Sequence, residues 1–154
     1  MDVRIINPFL EATLDVARTM AQLEVTVGKP VLKQGHDAPG QVSGFIHLNG
    51  LNHKGSLAIS FSSKALLLIY RNMLGEPLET LDDSALDLAG EITNMVCGGA
   101  KQRLASKGYE FDLTQPTLLS GSPHSIEHTP AGPVVTLPLH LPEGEMYLEV
   151  CLNR

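Results

Sequence analysis

The stretch between residues 83 and 107 constrains the fold most, because its apolar residues recur with the period of an α-helix. At about 100° per residue, one narrow stripe collects polar side chains and a glycine: Asp87, Glu91, Asn94 and Gly98. The opposite side is apolar: Ala85, Leu88, Ile92, Met95, Val96 and Gly99. A helix of this kind packs its apolar side on a core, so we expect a folded domain with this helix on its surface.

The polar stripe (Asp87, Glu91, Asn94 and Gly98) has an unusual composition for a solvated helix face. Such a face normally mixes acidic and basic side chains, whereas this one has two acids, a carboxamide and a glycine. The carboxylate of Glu91 and the amide of Asn94, one turn apart, suit insertion into the pocket of a partner. The alternative is an ordinary exposed face without a function, and helix geometry alone favours that interpretation.

Length, composition and charge limit the classes of protein to which this chain can belong. A chain of 154 residues has the size of one domain, so we expect a single domain over 1–154. The apolar fraction of 43% and the charged fraction of 18% are typical of a folded protein. The net charge of −6 and the absence of a Lys/Arg cluster argue against a nucleic-acid partner, because nothing would neutralise its phosphates.

The sequence has no pattern typical of membrane insertion or export. The longest apolar run, 65–70, is far shorter than the roughly 20 residues of a membrane span. The N-terminal residues lack the charged, apolar and small-residue order of a signal peptide. Cys97 and Cys151 form no metal or redox motif, so we expect two buried cysteines in a cytoplasmic protein.

The first part of the chain predicts one helix, a broken strand and a hairpin. The predicted elements are a helix over 8–23 and strands over 24–33, 42–48 and 55–61. Asn7-Pro8 indicates the start of the helix, with Asn7 as its cap. Pro30 interrupts the first strand because it has no N–H to donate. Asn49-Gly50 predicts the hairpin turn, and the alternative is a longer loop that includes Leu51-Asn52.

The remainder predicts two helices followed by strands. The helices cover 64–74 and 82 to about 107, and the strands cover 109–113, 117–119, 134–141 and 145–152, with 124–128 as a further short strand. Ser63 is the expected cap of the first helix, and Asp82 and Asp83 favour the start of the second. Gly98-Gly99 costs about 1 kcal/mol per glycine in mid-helix, which indicates close approach of another helix or of a partner.

This order of elements predicts an α/β domain of the α+β kind. It would consist of two similar halves, each a helix followed by antiparallel hairpins, with the helices packed on a mixed or antiparallel sheet. No sequence identity between the halves is visible, so the repeat rests on element order alone.

Residues that suggest metal or nucleophilic chemistry lack the required context. His124 and His128 are four residues apart, but Pro123 and Pro130 flank them and no helical HExxH motif is present. The sequence also has no GxSxG motif and no phosphate-binding glycine loop. We therefore predict no metal site and no nucleophile.

The run 86–96 resembles the signature helix of the CheC/CheX/FliY family, whose members dephosphorylate the chemotaxis response regulator CheY. The family pattern is Asp or Ser, three residues, Glu, two residues, Asn, and a Pro about two dozen residues later. Asp87, Glu91 and Asn94 fit this pattern, and Pro116 lies close to the expected distance. The opening run 6–13 is also similar to the start of CheX proteins.

The resemblance is to the CheX branch, which carries one site per chain. The first helix has Glu11-Ala12-Thr13-Leu14, with Leu14 where a second site would carry Asn. The resemblance further implies a homodimer formed by joining two sheets.

The resemblance implies a phosphatase acting on the aspartyl phosphate of a CheY-like response regulator. Asn94 would hold the attacking water, and Glu91 would pair with the active-site Lys of the regulator. Asp87 would support orientation, and Gly98 would belong to the docking surface. This chain would bind no cofactor, because the regulator supplies Mg²⁺. The alternative is a non-catalytic module or adaptor that binds receiver domains.

Overall fold

The computed structural model describes residues 3–51, 53–129 and 132–153. The helices are α1 Val3–Met20, α2 Ser63–Leu74 and α3 Asp83–Ala105. The strands are β1 Thr26–Val27, β2 Val31–Leu32, β3 Val42–Asn49, β4 Lys54–Phe61, β5 Asp112–Leu113, β6 Thr117–Ser120, β7 Val134–His140 and β8 Glu145–Asn153. No helix within these ranges is long and apolar enough to cross a membrane.

The strands form one open antiparallel sheet on which the three helices pack. Its order is β1-β7-β8-β4-β3-β5, with β2 also paired to β7 and β6 also paired to β3. This architecture confirms the predicted α+β class. Every strand pair in the described residues is antiparallel, which settles the choice between a mixed and an antiparallel sheet.

The sheet also confirms the two similar halves and shows how they are joined. The hairpin β3–β4 of one half and the hairpin β7–β8 of the other meet through β4 and β8 at the centre. The short strands of each half cross to the other half: β1 and β2 pair with β7, and β5 and β6 pair with β3. Pro30 and Pro116 occupy equivalent places, each directly before the second short strand of its half.

The start of α1 differs from the prediction. The helix begins at Val3, so Asn7 is not its cap and Pro8 lies inside the helix. An internal proline costs about 3 kcal/mol. Ile5 and Ile6 are only 2% and 8% exposed, and burial of such a side chain stabilises by about 1.5–3 kcal/mol. The two isoleucines together therefore outweigh the start signal at Asn7-Pro8.

A smaller correction concerns the cap of α2, whereas the start of α3 agrees with the prediction. Ser62 caps α2 instead of Ser63, because the Ser62 Oγ accepts the Ala65 N–H at 3.2 Å. Asp82 caps α3 in the same way, with its Oδ1 accepting the Ala85 N–H at 3.0 Å, and the acids lie at the helix start as predicted.

The predicted short strand over 124–128 is wrong. The segment forms only one isolated bridge, between Ser125 and Asp37. His124 Nε2 lies 2.8 Å from the Ser43 Oγ on β3, and His128 Nδ1 lies 2.7 Å from the Ser56 Oγ on β4. These bonds hold the segment across the face of the sheet, so it does not extend the sheet edge.

A buried charged cluster lies beside this segment. Glu149 on β8 is 1% exposed, and its Oε1 accepts from Lys33 Nζ at 2.8 Å and lies 3.0 Å from His128 Nε2. The second carboxylate oxygen, Oε2, accepts from Thr136 Oγ1 at 3.1 Å. Burial raises the pKa of Glu149, but the hydrogen bonds and charges of His128 and Lys33 lower this pKa below its ordinary value overall.

We expect the free energy of unfolding to decrease in acid as Glu149 is protonated. Because folding lowers the pKa of Glu149 from 4.5, its stabilising contribution is fully present above 4.5 and is lost as the pH falls through the folded-state pKa. Urea unfolding between pH about 6 and about 3 measures this decrease. Glu149→Gln has no charge to lose there and should show a smaller decrease; equal decreases would contradict the prediction.

Candidate functional site

Helix α3 presents the polar stripe to solvent, as the sequence predicts. Its members are all exposed: Asp87, Glu91, Asn94 and Gly98. The buried residues of the opposite side are Ala85, Leu88, Ile92 and Val96. Glu91 and Asn94 are separated by about 4.5 Å along the helix axis, so one partner pocket can contact both side chains.

The functional groups of the stripe have no partner inside the described chain. No hydrogen bond or ion pair joins the side chains of Asp87, Glu91 or Asn94 to another described residue. Two carboxylates and an amide are therefore available to an external ligand. An amide can donate and accept hydrogen bonds at once, whereas an ionised carboxylate only accepts.

The turn that carries Glu91 and Asn94 lies very close to the sheet. Thr93 is completely buried and its Oγ1 donates to the Ala89 carbonyl at 2.8 Å. Gly44 on β3 faces it, and a Cβ at Gly44 would lie only 2.1 Å from the Thr93 Oγ1. The backbone of β3 therefore approaches α3 more closely here than any residue with a side chain would permit.

Gly98 and Gly99, the two adjacent glycines of α3, have different surroundings. A Cβ at Gly99 would lie 3.2 Å from the Ala12 Cβ, so Gly99 permits close packing of α3 on α1. A Cβ at Gly98 would meet no atom within 4 Å. The described fold therefore explains Gly99 but provides no packing reason for Gly98.

Among the described side chains of α1, no equivalent pair of a free carboxylate and a free amide is found. Glu11 corresponds to Glu91 in the first half, and its Oε2 lies 3.5 Å from Arg103 Nε. Arg103 also binds Asp15 Oδ2 at 2.8 Å and donates to the Gly99 carbonyl at 3.1 Å. The Glu11 carboxylate is thus engaged by α3, and Leu14 occupies the place of the amide.

Pro116 lies outside α3, in the chain that leads into β6. It directly precedes β6, which pairs with β3 and runs next to α3. Leu118 of β6 packs on Gly90 of α3, where a Cβ would lie 3.2 Å from the Leu118 Cδ2. Sequence reasoning missed the two residues at the close contact between α3 and β3, namely Gly44 and Thr93.

The described residues form neither a metal site nor a reactive thiol. Within residues 3–51, 53–129 and 132–153, no three His, Cys, Asp or Glu side chains form a possible metal site. Cys97 and Cys151 are buried, as predicted. Burial raises the pKa of the Cys97 thiol to about 12, so it is not a nucleophile at neutral pH.

Three helices on an antiparallel sheet of two crossed halves, with a polar stripe on α3, define a CheC-like protein. A model of the family "Chemotaxis phosphatase CheX" matches residues 42–140. The chain is 31% identical over 140 residues to the CheY-P phosphatase CheX of Thermotoga maritima, covering 90% of this chain and 88% of the relative. The chain therefore belongs to the CheX family.

Solved structures agree with this assignment. A CheC-like superfamily protein from Shewanella sp. PV-4 is 45% identical with a TM-score of 0.94, covering 100% of both chains. Chemotaxis protein CheX from Vibrio vulnificus is 40% identical with a TM-score of 0.90, covering 97% of this chain and 99% of that one. A chain of the CheX–CheY–BeF₃–Mg²⁺ complex from Borrelia burgdorferi is 26% identical with a TM-score of 0.77, covering 97% and 98%.

Proposed function

We propose that this protein is a phosphatase that accelerates hydrolysis of the aspartyl phosphate of a CheY-like response regulator. The T. maritima relative is a CheY-P phosphatase, and the B. burgdorferi relative forms a complex with CheY. The observation that carries the proposal for this chain is the exposed pair Glu91 and Asn94 on α3, whose side chains have no partner among the described residues.

Asn94 supplies the amide group that positions the attacking water. Phosphoryl transfer to water depends mainly on positioning the nucleophile and stabilising charge, as with the Gln that orients water in GTPases. The Asn94 amide can accept a hydrogen bond from a water and donate one to a phosphoryl oxygen at the same time. Held in line with the phosphorus by a rigid helix, this water attacks with the advantage of proximity and orientation.

Glu91 and Asp87 act in binding and orientation. Glu91 pairs with the active-site Lys of the regulator, which sets the position of α3 along the phosphorylated pocket. Asp87, one turn earlier, adds negative charge on the same side and supports this orientation. The Mg²⁺ that neutralises the phosphoryl oxygens is bound by the regulator, and this chain contributes no cofactor.

The direct test measures loss of label from a phosphorylated receiver domain in Mg²⁺ buffer, with and without this protein. Acceleration above the spontaneous rate supports the phosphatase. The competing function is a non-catalytic receiver-binding module. Complex formation without acceleration, with every receiver of the source organism, would establish that function instead.

Gly98→Ala should stabilise the protein and weaken its binding to the regulator. The new methyl group meets no atom within 4 Å, so the change gains helix propensity of about 0.8–1 kcal/mol and raises Tm by about 2–4 °C. The same methyl group lies on the polar stripe and separates α3 from the docked receiver. Calorimetry gives both the Tm and the receiver affinity.

The matched control is Gly90→Ala, which also replaces a glycine of α3 but directs its methyl group at the Leu118 side chain of β6. Its affinity for the receiver should equal that of the wild type. If Gly98→Ala also bound the receiver with unchanged affinity, Gly98 would not belong to the docking surface.

We also propose a homodimer that joins two sheets along β1 and β2. These strands form one edge of the sheet, and Val31 and Leu32 on that edge are 53% and 66% exposed. An exposed apolar edge is a template for pairing with another chain.

Leu32→Asp should therefore give monomers in light scattering, whereas Leu74→Asp, at a similarly exposed leucine of α2, should not. A dimer that survives Leu32→Asp would contradict this edge.

A further inference from the structure

Thr93 lies between Glu91 and Asn94 in the chain, but its side chain points to the sheet. Its hydroxyl donates to the Ala89 carbonyl, which belongs to the preceding turn of α3. A bond of this kind, from Thr to the carbonyl four residues earlier, commonly bends a helix. Thr93 therefore influences the direction of the turn that presents the Asn94 amide.

Gly44 determines how far this turn stands from the sheet. The Cβ that any other residue would have at position 44 lies 2.1 Å from the Thr93 Oγ1 and 2.9 Å from the Thr93 Cβ. Non-bonded heavy atoms normally stay about 3.5 Å apart, so a side chain at position 44 would displace this turn by about 1 Å. β3 lies inside the sheet between β4 and the strands β5 and β6, so it has little freedom to move away.

The same construction occurs in α1. Thr13 follows Glu11 by two residues, as Thr93 follows Glu91. Thr13 is also buried, and its Oγ1 donates to the Phe9 carbonyl at 2.7 Å. The threonine bond is thus a property of both halves. Thr93, in the half that carries the Asn94 amide, also faces a glycine of the sheet so closely that a Cβ at Gly44 would lie 2.1 Å from its Oγ1.

We propose that Thr93 and Gly44 are positioning residues of the phosphatase reaction, because together they set the height and direction of the turn that carries Asn94. This inference rests on the proposed function and names residues that act through Asn94. Both residues are buried, so neither contacts the regulator directly. Their effect should therefore appear in turnover, with little change in binding.

The first test is Gly44→Ala, assayed in single turnover with the phosphorylated receiver. A displacement of about 1 Å at a positioned catalytic group costs on the order of 10²-fold in rate. We expect this loss in the maximal rate, whereas the protein concentration at half-maximal rate remains close to that of the wild type. Gly90→Ala, in the same helix and directed at Leu118, should retain the wild-type rate.

The second test uses Thr93 and does not depend on the folding of Gly44→Ala. Thr93→Val keeps the shape of the side chain but removes the bond to Ala89, so urea unfolding should show unchanged or higher stability. Its maximal rate should nevertheless fall by about tenfold or more through loss of orientation. Thr93→Ser keeps the hydroxyl bond and should retain most of the rate. A purely structural role predicts no loss of rate in a variant that is as stable as the wild type.

The outcomes separate the positioning role from the proposed function. Suppose that the wild-type protein accelerates hydrolysis and that Thr93→Val, or folded Gly44→Ala, has a normal maximal rate. This result would overturn the positioning role alone. No acceleration by the wild-type protein would overturn both. Acceleration that is lost in these variants while receiver binding persists would establish Thr93 and Gly44 as positioning residues.

Discussion

Asn94→Ala should lose the acceleration of aspartyl-phosphate hydrolysis while it still binds the phosphorylated regulator. The alanine cannot hold a water in line with the phosphorus, and loss of such positioning costs on the order of 10²-fold or more in rate. Asn94 is exposed and has no partner among the described residues, so its replacement should leave the free energy of unfolding almost unchanged. Label loss from the receiver and calorimetric titration measure the two quantities separately.

Glu91→Ala is the informative comparison for Asn94→Ala, because Glu91 lies on the same polar stripe and has a different role. Removing its carboxylate leaves the Lys of the regulator without a partner, so both affinity and turnover should decrease. Asn94→Ala should affect turnover alone. If Asn94→Ala retained the wild-type rate, the water-positioning hypothesis would be wrong, whatever Glu91→Ala showed.

Glu149→Ala should destabilise the fold more than any substitution on the polar stripe. It would leave the Lys33 ammonium, whose side chain is only 8% exposed, buried without a counter-charge. Breaking a buried ion pair by removing one partner costs about 3–5 kcal/mol, a large part of the roughly 5–15 kcal/mol that stabilises a domain. Urea unfolding measures this loss directly.

A double variant separates this charge effect from loss of packing. Lys33→Met together with Glu149→Leu replaces the ion pair with apolar side chains, a change that is often neutral or stabilising. We therefore expect the double variant to recover most of the stability that Glu149→Ala loses. A double variant as unstable as Glu149→Ala would show that the cluster matters through its shape or through His128, and not through the pairing of charges.

The sequence alone determined the elements whose signals are local. The apolar period of α3 predicted the helix, its buried side and its exposed stripe, because that period depends only on residues within a few turns. Asn49-Gly50 likewise predicted where the β3–β4 hairpin turns, although Asn49 itself still pairs with Lys54 as the last residue of β3 and the turn follows it. The resemblance then assigned expected roles to Asp87, Glu91 and Asn94.

Only the tertiary structure decided features that depend on residues far apart in the chain. Because Ile5 and Ile6 are buried against the core, α1 begins at Val3, upstream of the local start signal at Asn7-Pro8. Glu149 meets Lys33 across 116 positions, and Thr93 meets Gly44 because α3 packs on β3. Such contacts depend on which strands pair and in which register, and a local pattern contains no information about a pairing partner more than a hundred residues away.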